Sequence, residues 1–281
     1  MNRLRIRHTT AFTYAADVSA SYNEARMRPV SSDSQLVLSS TLQVEPSAGL
    51  HDYTDYWGTR VTAFEVITPH RSLSVSSTTL VEARPKQHAG HAITWDELRS
   101  RASTEMELIE QLSQTRLTAP TEDVVRLAEE VVAEGLNPCD TAHAIARTVG
   151  ESMEYMQGVT GVHSTAAEAW AEKKGVCQDI THITLGALRA AGIPARYVSG
   201  YLHPKREPVV GESVKGESHA WVEWFCGQWT GYDPTNLMDI ADRHVLVGAG
   251  RDYSDVPPLH GVYAGPRASN LKVSVEITRV A

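Results

Sequence analysis

The sequence predicts an α+β protein with an antiparallel, β-rich N-terminal domain and a core in which helices are followed by a sheet. Three observations predict it. Apolar and polar residues alternate with period two from the N-terminus to about Glu82, apolar residues recur at helical spacing from Asp96 onward, and alternation returns over residues 271–280. At 281 residues, and with roughly 150 residues per domain, two cores are expected. The division falls between residues 1–90 and 91–270, with the strand at 271–280 returning to the first domain.

In the first part, Leu4, Ile6, His8, Thr10, Phe12 and Tyr14 alternate with polar neighbours, as do Leu36, Leu38, Ser40, Leu42 and Val44. Residues 59–67 and 73–81 are rich in Val, Thr and Ser, so the whole region reads as antiparallel strands. Tyr53, Tyr56 and Trp57 are expected in the sheet core, and the tracts at 31–34 and 74–77 at a turn and a strand edge. Residues 84–92 carry neither period and read as a linker whose His88 and His91 face solvent.

Helical spacing then predicts helices over 96–114 (Leu98, Met106, Ile109, Leu112), 122–134 (Val124, Leu127, Val131) and 141–156 (Ile145, Val149, Met153). Thr165 followed by Glu168 fits a capping box, and Lys173, Lys174 and Gly175 supply the cations and left-handed residue that close a short helix. The next helix begins at Cys177, carries Ile180, Ile183, Leu185 and Leu188, and stops at Gly192-Ile193-Pro194. Residues 195–202, 218–225 and 229–232 read as strands.

Composition narrows the class. Hydrophobic residues make 42% and charged residues 21%, the balance of a globular protein rather than a disordered, collagen-like or disulfide-dense one. The formal charge is −8 and no basic run occurs, so neither nucleic acid nor an anionic membrane is an expected partner. No stretch approaches the ~18 apolar residues of a membrane span, and Met-Asn-Arg-Leu-Arg-Ile-Arg-His lacks the apolar centre of a signal peptide, which points to the cytoplasm. Cys139, Cys177 and Cys226 are too few and too scattered for a disulfide scaffold or a CxxC metal module, so each reads as a single thiol.

A free thiol, with a pKa of about 8.5, becomes a useful nucleophile when a helix N-terminus or a cation lowers that value. Cys177 has the first by position, whereas Cys139 and Cys226 read as inert. His219 begins the strand Ser-His-Ala-Trp-Val-Glu-Trp-Phe and Asp233 ends the next one, with Cys226-Gly227-Gln228 as the turn between them. A hairpin centred on residue 226 sets His219 almost opposite Asp233, within ~5.5 Å at Cβ. A slip of one residue would send the two to opposite faces. In that hairpin the carboxylate orients the imidazole while its other nitrogen meets the thiol.

The blocks Gly175-Val176-Cys177-Gln178-Asp179-Ile180-Thr181-His182, Gly192-Ile193-Pro194-Ala195-Arg196-Tyr197-Val198-Ser199-Gly200-Tyr201, His219-Ala220-Trp221-Val222-Glu223 and Asp233-Pro234-Thr235-Asn236 resemble the bacterial transglutaminase-like superfamily. Asn23-Glu24-Ala25-Arg26 and Asp55-Tyr56-Trp57-Gly58 are similar to the β-rich domain that often precedes its core. The likeness covers nearly the whole chain. It departs at Ile180, where many relatives carry an aromatic residue.

The resemblance implies a papain-like core with a Cys177-His219-Asp233 triad and no cofactor or metal. It implies acyl transfer on a peptide or amide: the thiolate attacks the carbonyl, His219 protonates the departing amine, and water or a second amine resolves the thioester. Hydrolysis, as in a peptidase or amidase, is the favoured outcome; transglutaminase-type amine transfer and a catalytically silent peptide-binding module are the alternatives. The backbone N–H of Cys177 is one expected oxyanion donor, and Tyr155 is preferred over Trp170 as the second. Asp179 and His182 are expected as supporting groups beside the thiol. A zinc hydrolase is the runner-up enzyme, since Cys, His and Asp all ligate zinc, but there is no HExxH and the ligands are far apart in sequence.

Overall fold

A computed structural model describes residues 1–85, 93–266 and 268–281. The boundary at 90/91 and most of the 84–92 linker, with His88 and His91, lie outside the described residues. The first part carries β1 (Asn2–Val18), β2 (Ala20–Ala25), β3 (Gln35–Glu45), β4 (Leu50–Thr54), β5 (Arg60–Val66) and β6 (His70–Ala83). The second runs through α1 (Trp95–Ala102), α2 (Met106–Leu112), α3 (Glu122–Ala133), α4 (Pro138–Glu151), β7 (Glu154–Tyr155), α5 (Ala166–Glu172), β8 (Lys174–Gly175) and α6 (Cys177–Ala190). It then enters β9 (Ala195–Leu202), β10 (Ser213–Gly216), β11 (Ser218–Phe225), β12 (Trp229–Asp233), β13 (Met238–Asp239), β14 (His244–Gly250), β15 (Leu259–Ala264) and β16 (Ala268–Arg279).

The alternation of β1 is real: Asn2, Leu4, Ile6, His8 and Thr10 are buried while Arg3, Arg5 and Arg7 are exposed. As expected, β16 returns to the first sheet, pairing antiparallel with β1 from Leu4↔Arg279 to Phe12↔Leu271. Sheet order is β10-β16-β1-β6-β3, so this last strand is interior to the sheet. A second sheet has the order β15-β2-β5-β4, and the core sheet β13-β12-β11-β9-β14. Two strands from within 91–270, β10 and β15, thus pair with the N-terminal sheets. Leu4, Ile6, Val81 and Ile277 of the first sheet pack on Tyr201, Val245 and Val247 of the core sheet, a dry seam that joins the two parts.

Several local expectations change. The helix expected over 96–114 is two, because beyond α1 the Ser103 and Thr104 hydroxyls both bond the Ser100 carbonyl and end the first one. α4 starts before residue 141 because Asn137 caps the Asp140 N–H at 3.0 Å with Pro138 in the first turn, and it ends at Glu151 rather than 156. The left-handed residue closing α5 is Lys173 (φ 53°), not Gly175. The tract 74–77 lies in β6, interior between β1 and β3 rather than at an edge, and Tyr56 is exposed with its hydroxyl on Glu110.

The reading of three single thiols is corrected. Cys139, in the first turn of α4, and Cys226, in the β11–β12 turn, form a disulfide with Cα atoms 5.5 Å apart. They are 87 residues apart in sequence and meet only because α4 packs against that hairpin, so no local pattern announces the bond. Cys177 is the free cysteine.

α6 lies at the centre of the core. Ile180, Ile183, Leu185 and Leu188 pack with Tyr197, Val222 and Trp224, and α3, α4 and α5 close over the helix. At its last turn the buried Arg189 donates to the carbonyls of Gln111, Ala195 and Arg251, which spends its cation on backbone groups and fixes the helix axis. Among the described residues no helix is long and apolar enough to cross a membrane.

Candidate functional site

Cys177 is the first residue of α6, where geometry leaves its N–H without an intrahelical acceptor. Asp179 fixes that start: its Oδ2 accepts the Val176 N–H at 2.8 Å and the Thr160 hydroxyl at 2.6 Å. Gly175 is needed because an added Cβ would press on the Asp179 carboxylate. The residue lacks a side chain for this close approach and not for a helix stop.

The hairpin supplies the other half. β11 pairs with β12 from Val222↔Tyr232 to Phe225↔Trp229, which places the centre at residue 227 rather than 226. The shift moves each partner by two, so His219 and Asp233 become diagonal instead of opposite but stay on one face. His219 Nε2 lies 2.7 Å from Asp233 Oδ2, and the ring lines the same cavity as Cys177. Since Nε2 is held by the carboxylate, Nδ1 is the nitrogen left for sulfur. Gly200 in β9 makes room for this layer, because a Cβ there would strike the Trp221 indole under His219 and His244.

Asp233 is fully buried and accepts five hydrogen bonds. Oδ1 takes the backbone N–H of Thr235 (3.0 Å) and Asn236 (3.1 Å), while Oδ2 takes His219, Asn236 Nδ2 (2.8 Å) and His244 Nε2 (3.4 Å). Burial pushes its carboxyl up, but the His219 and His244 bonds and the Asn236 amide hold it well below the ordinary range. Burial likewise opposes charge on His219, yet its bond to Asp233 and the neighbouring Cys177 raise it to about 10.

Sequence reasoning missed His244 and Asn236. Asn236 was visible as the third residue after Asp233 in Asp-Pro-Thr-Asn, the spacing of an Asx-type turn. His244 had no signal beyond the alternation of β14. Its Nδ1 accepts the Ala241 N–H at 3.3 Å, so Nε2 carries the proton and donates to Asp233. His219, Asp233 and His244 do bring three potential metal-ligand atoms within 4.8 Å of one another. The proton on His244 Nε2 points at the carboxylate, so these atoms form a hydrogen-bonded chain and not a set of converging lone pairs.

The other expected residues separate. Tyr155 lines the cavity with Cys177 and His219, because β7 pairs in parallel with β8 (Tyr155↔Gly175) just before the thiol. Trp170 is buried in the helical core and lines neither space next to the thiol. His182 is buried one turn below Cys177, accepts the Tyr253 N–H at 3.2 Å and stacks obliquely on Tyr197, without touching the thiol or His219. Two connected spaces flank Cys177 and His219. One, of about 590 Å³, runs along Leu202, Arg206, Lys215, Asn236 and Arg243; the other, of about 380 Å³, runs along Gln178, Tyr197 and Tyr253.

The Asn23–Arg26 and Asp55–Gly58 blocks meet in space. Arg26 bonds Asp55 at 3.2 Å, Asp55 Oδ1 takes the N–H of Trp57 and Thr59, and Arg251 of the core lies over Trp57. This cluster ties the N-terminal sheets to the segment after β14.

Comparison with known proteins agrees with this architecture. Residues 4–82 match the bacterial transglutaminase-like N-terminal region, and residues 125–234 match the transglutaminase-like superfamily core. An uncharacterized protein of Mycobacterium leprae (strain TN) is 43% identical over 281 residues, with all of both chains covered. An uncharacterized protein of Mycobacterium tuberculosis (strain ATCC 25618 / H37Rv) is 30% identical over 300 residues, covering 98% of this chain and 92% of the relative. The crystal structure of a protein from Cytophaga hutchinsonii, described as a "putative cysteine protease", superposes with a TM-score of 0.76 at 22% identity over 98% of this chain and 91% of its own, a likeness of fold. With both of its parts matched in order, the chain belongs to the bacterial transglutaminase-like superfamily.

Proposed function

We propose that the chain is a cysteine-dependent acyl-transfer enzyme that hydrolyses an amide bond in a peptide or protein. The observation that carries this reading is the free thiol of Cys177 at the start of a buried helix, sharing one cavity with an imidazole that rests on a fully buried carboxylate. His219, raised to about 10, holds its proton at neutral pH beside the sulfur, and the sulfur reacts in its thiolate form. The thiolate attacks the amide carbonyl and the carbonyl electron pair moves to oxygen, where the Cys177 N–H receives it. Collapse of the tetrahedral adduct breaks the C–N bond as His219 gives its proton to the departing amine. Water, deprotonated by the same imidazole, cleaves the thioester and returns the thiol.

Tyr155 is assigned as the second oxyanion donor and Asp179 as the group that fixes the position of the Cys177 N–H. His182 supports the site through Tyr253 and Tyr197. The Cys139–Cys226 bond behind the hairpin is of a kind kept in an oxidising compartment, which weighs against the cytoplasmic location expected from the N-terminus.

The test is incubation with a peptide library, with and without a primary amine, read by mass spectrometry. Hydrolysed products, an acyl adduct on Cys177, inactivation by iodoacetamide and indifference to chelators are expected. Amine-capped products in place of acids would reassign the chain to amine transfer, and chelator-sensitive turnover surviving Cys177→Ala would overturn the reading.

A further inference from the structure

The larger space beside Cys177 is cationic in a chain whose formal charge is −8. Arg206, Lys215 and Arg243 line it, against a single carboxylate, Glu217. Glu217 accepts two contacts from Gln157 Nε2, at 3.0 and 3.2 Å, and stands at the rim. Arg206 and Lys215 are exposed, and among the described residues neither makes an ion pair.

Arg243 is the floor. It is 7% exposed, and its guanidinium donates to the carbonyls of His203 (3.1 Å) and Lys205 (3.2 Å) and leans on Met238 sulfur. None of these is an anion. The acids near it are committed, Asp242 to the N-terminal ammonium at 2.7 Å and Asp233 to His219. Burial and the neighbouring Arg206 work against its charge, and Asp242 and Asp233 favour it only from a distance. A guanidinium cannot shed its proton, so a buried one with no carboxylate in direct contact gains when an anion arrives. Two guanidiniums and an ammonium around one wall also suit a planar, bidentate group better than a point charge.

We infer that this space is a subsite for a carboxylate carried by the substrate, held by Arg243 and Arg206 with Lys215 opposite, on one flank of the bond that Cys177 attacks. The inference rests on the acyl-transfer reading and names its substrate class as anionic peptides. The carboxylate has two possible sources, an acidic side chain or a free C-terminus.

The experiment uses matched peptides. One set is amidated and differs only by Glu or Gln at successive positions; the other ends in a carboxylate or a carboxamide. The preferred anionic member is expected to show about tenfold higher kcat/KM than its neutral twin, the scale of one buried, charge-assisted hydrogen bond. That ratio should shrink towards one in Arg206→Gln/Lys215→Gln, two exposed positions whose loss leaves the core untouched. It should also shrink as salt is raised. Whichever set shows the preference identifies the source.

Turnover with a ratio near one at every position and terminus overturns the subsite and leaves the acyl-transfer reading standing. Absence of turnover and of any Cys177 adduct sinks that reading, and the subsite is then judged by binding. Anisotropy with Cys177→Ala should still show about tenfold tighter association of the anionic peptide; equal affinities overturn the proposal.

Discussion

The two halves of the cleft each bury a carboxylate, and they treat it oppositely. On the hairpin side, Asp233 accepts from two imidazoles, an amide and two backbone N–H groups, and its carboxyl is held low. On the helix side, Asp179 accepts one hydroxyl and one backbone N–H, both at Oδ2, its Oδ1 has no partner among the described residues, and burial pushes its carboxyl up. Both are about 1% exposed or less. Burial is therefore the same in the two, and the proton-bearing imidazoles make the difference. A carboxylate facing His219 can compensate an imidazolium; one capping a helix start serves as a shaped acceptor, whether ionised or not.

The largest expected effect breaks or upholds that contrast. Asp233→Asn should lower kcat by about 10⁴, because an amide can neither hold the proper His219 tautomer nor balance its charge. Asp179→Asn keeps an oxygen for the Val176 N–H and should stay within about tenfold of the parent. Sign follows from direction. A raised carboxyl contributes stability below its unfolded value and loses it as pH rises through the folded one, so Asp179→Asn should melt no lower than the parent at pH 8. Equal losses of kcat in the two variants would make the halves equivalent and remove the contrast.

The helix side was more legible in the sequence than the hairpin side. Cys177 sits after a Thr165/Glu168 box and a helix closed at Lys173, signals of local origin that place it in the first turn of α6. The hairpin was legible only up to its face. Alternation gives parity, and a register error of two preserves parity, so His219 and Asp233 were correctly paired through an incorrect centre. His244 comes from a strand on the far side of β9, and the Cys139–Cys226 bond spans 87 residues, so neither leaves a periodic trace. β10 and β15 escaped as N-terminal-sheet strands for the same reason, since their partners are dictated by the tertiary seam.

A second comparison sets the free thiol against the bonded pair. Cys139→Ser/Cys226→Ser should cost about 2–5 kcal/mol of stability, as expected for a bridge closing a long loop. The cost should appear in Tm with less effect on turnover at 25 °C, because the hairpin is also held by its pairing to β9 and β12. Alkylation of the unreduced, denatured protein should label Cys177 alone. Three labels, or an unchanged Tm, would restore the three separate thiols that the sequence suggested.

The smallest expected effect separates the buried imidazoles by sign. His219 is raised to about 10 by its partners, whereas burial lowers His8 and His182 to about 4. His8 lies in the seam between the two parts, where Tyr201 spends its hydroxyl proton on the Met27 carbonyl and takes the His8 Nδ1–H at 2.9 Å. His182 belongs to α6 itself, with its ring against Tyr197. For both, the folded value is below the unfolded one near 6.5, so their neutral burial contributes stability above pH 6.5 that is lost as pH falls towards 4. Between pH 7 and 5 each should cost roughly 2 kcal/mol. In the same window the lowered His244 adds to the fall, whereas the raised His219 and Asp179 oppose it, because a raised group gains stability as pH falls. Tm measured at pH 7 and 5 should therefore fall, and should fall less in His8→Gln and in His182→Gln, whose amide oxygen can still accept the Tyr253 N–H. A fall as large in both variants as in the parent would place the acid sensitivity elsewhere, and with it the idea that the seam and the floor of α6 depend on uncharged rings.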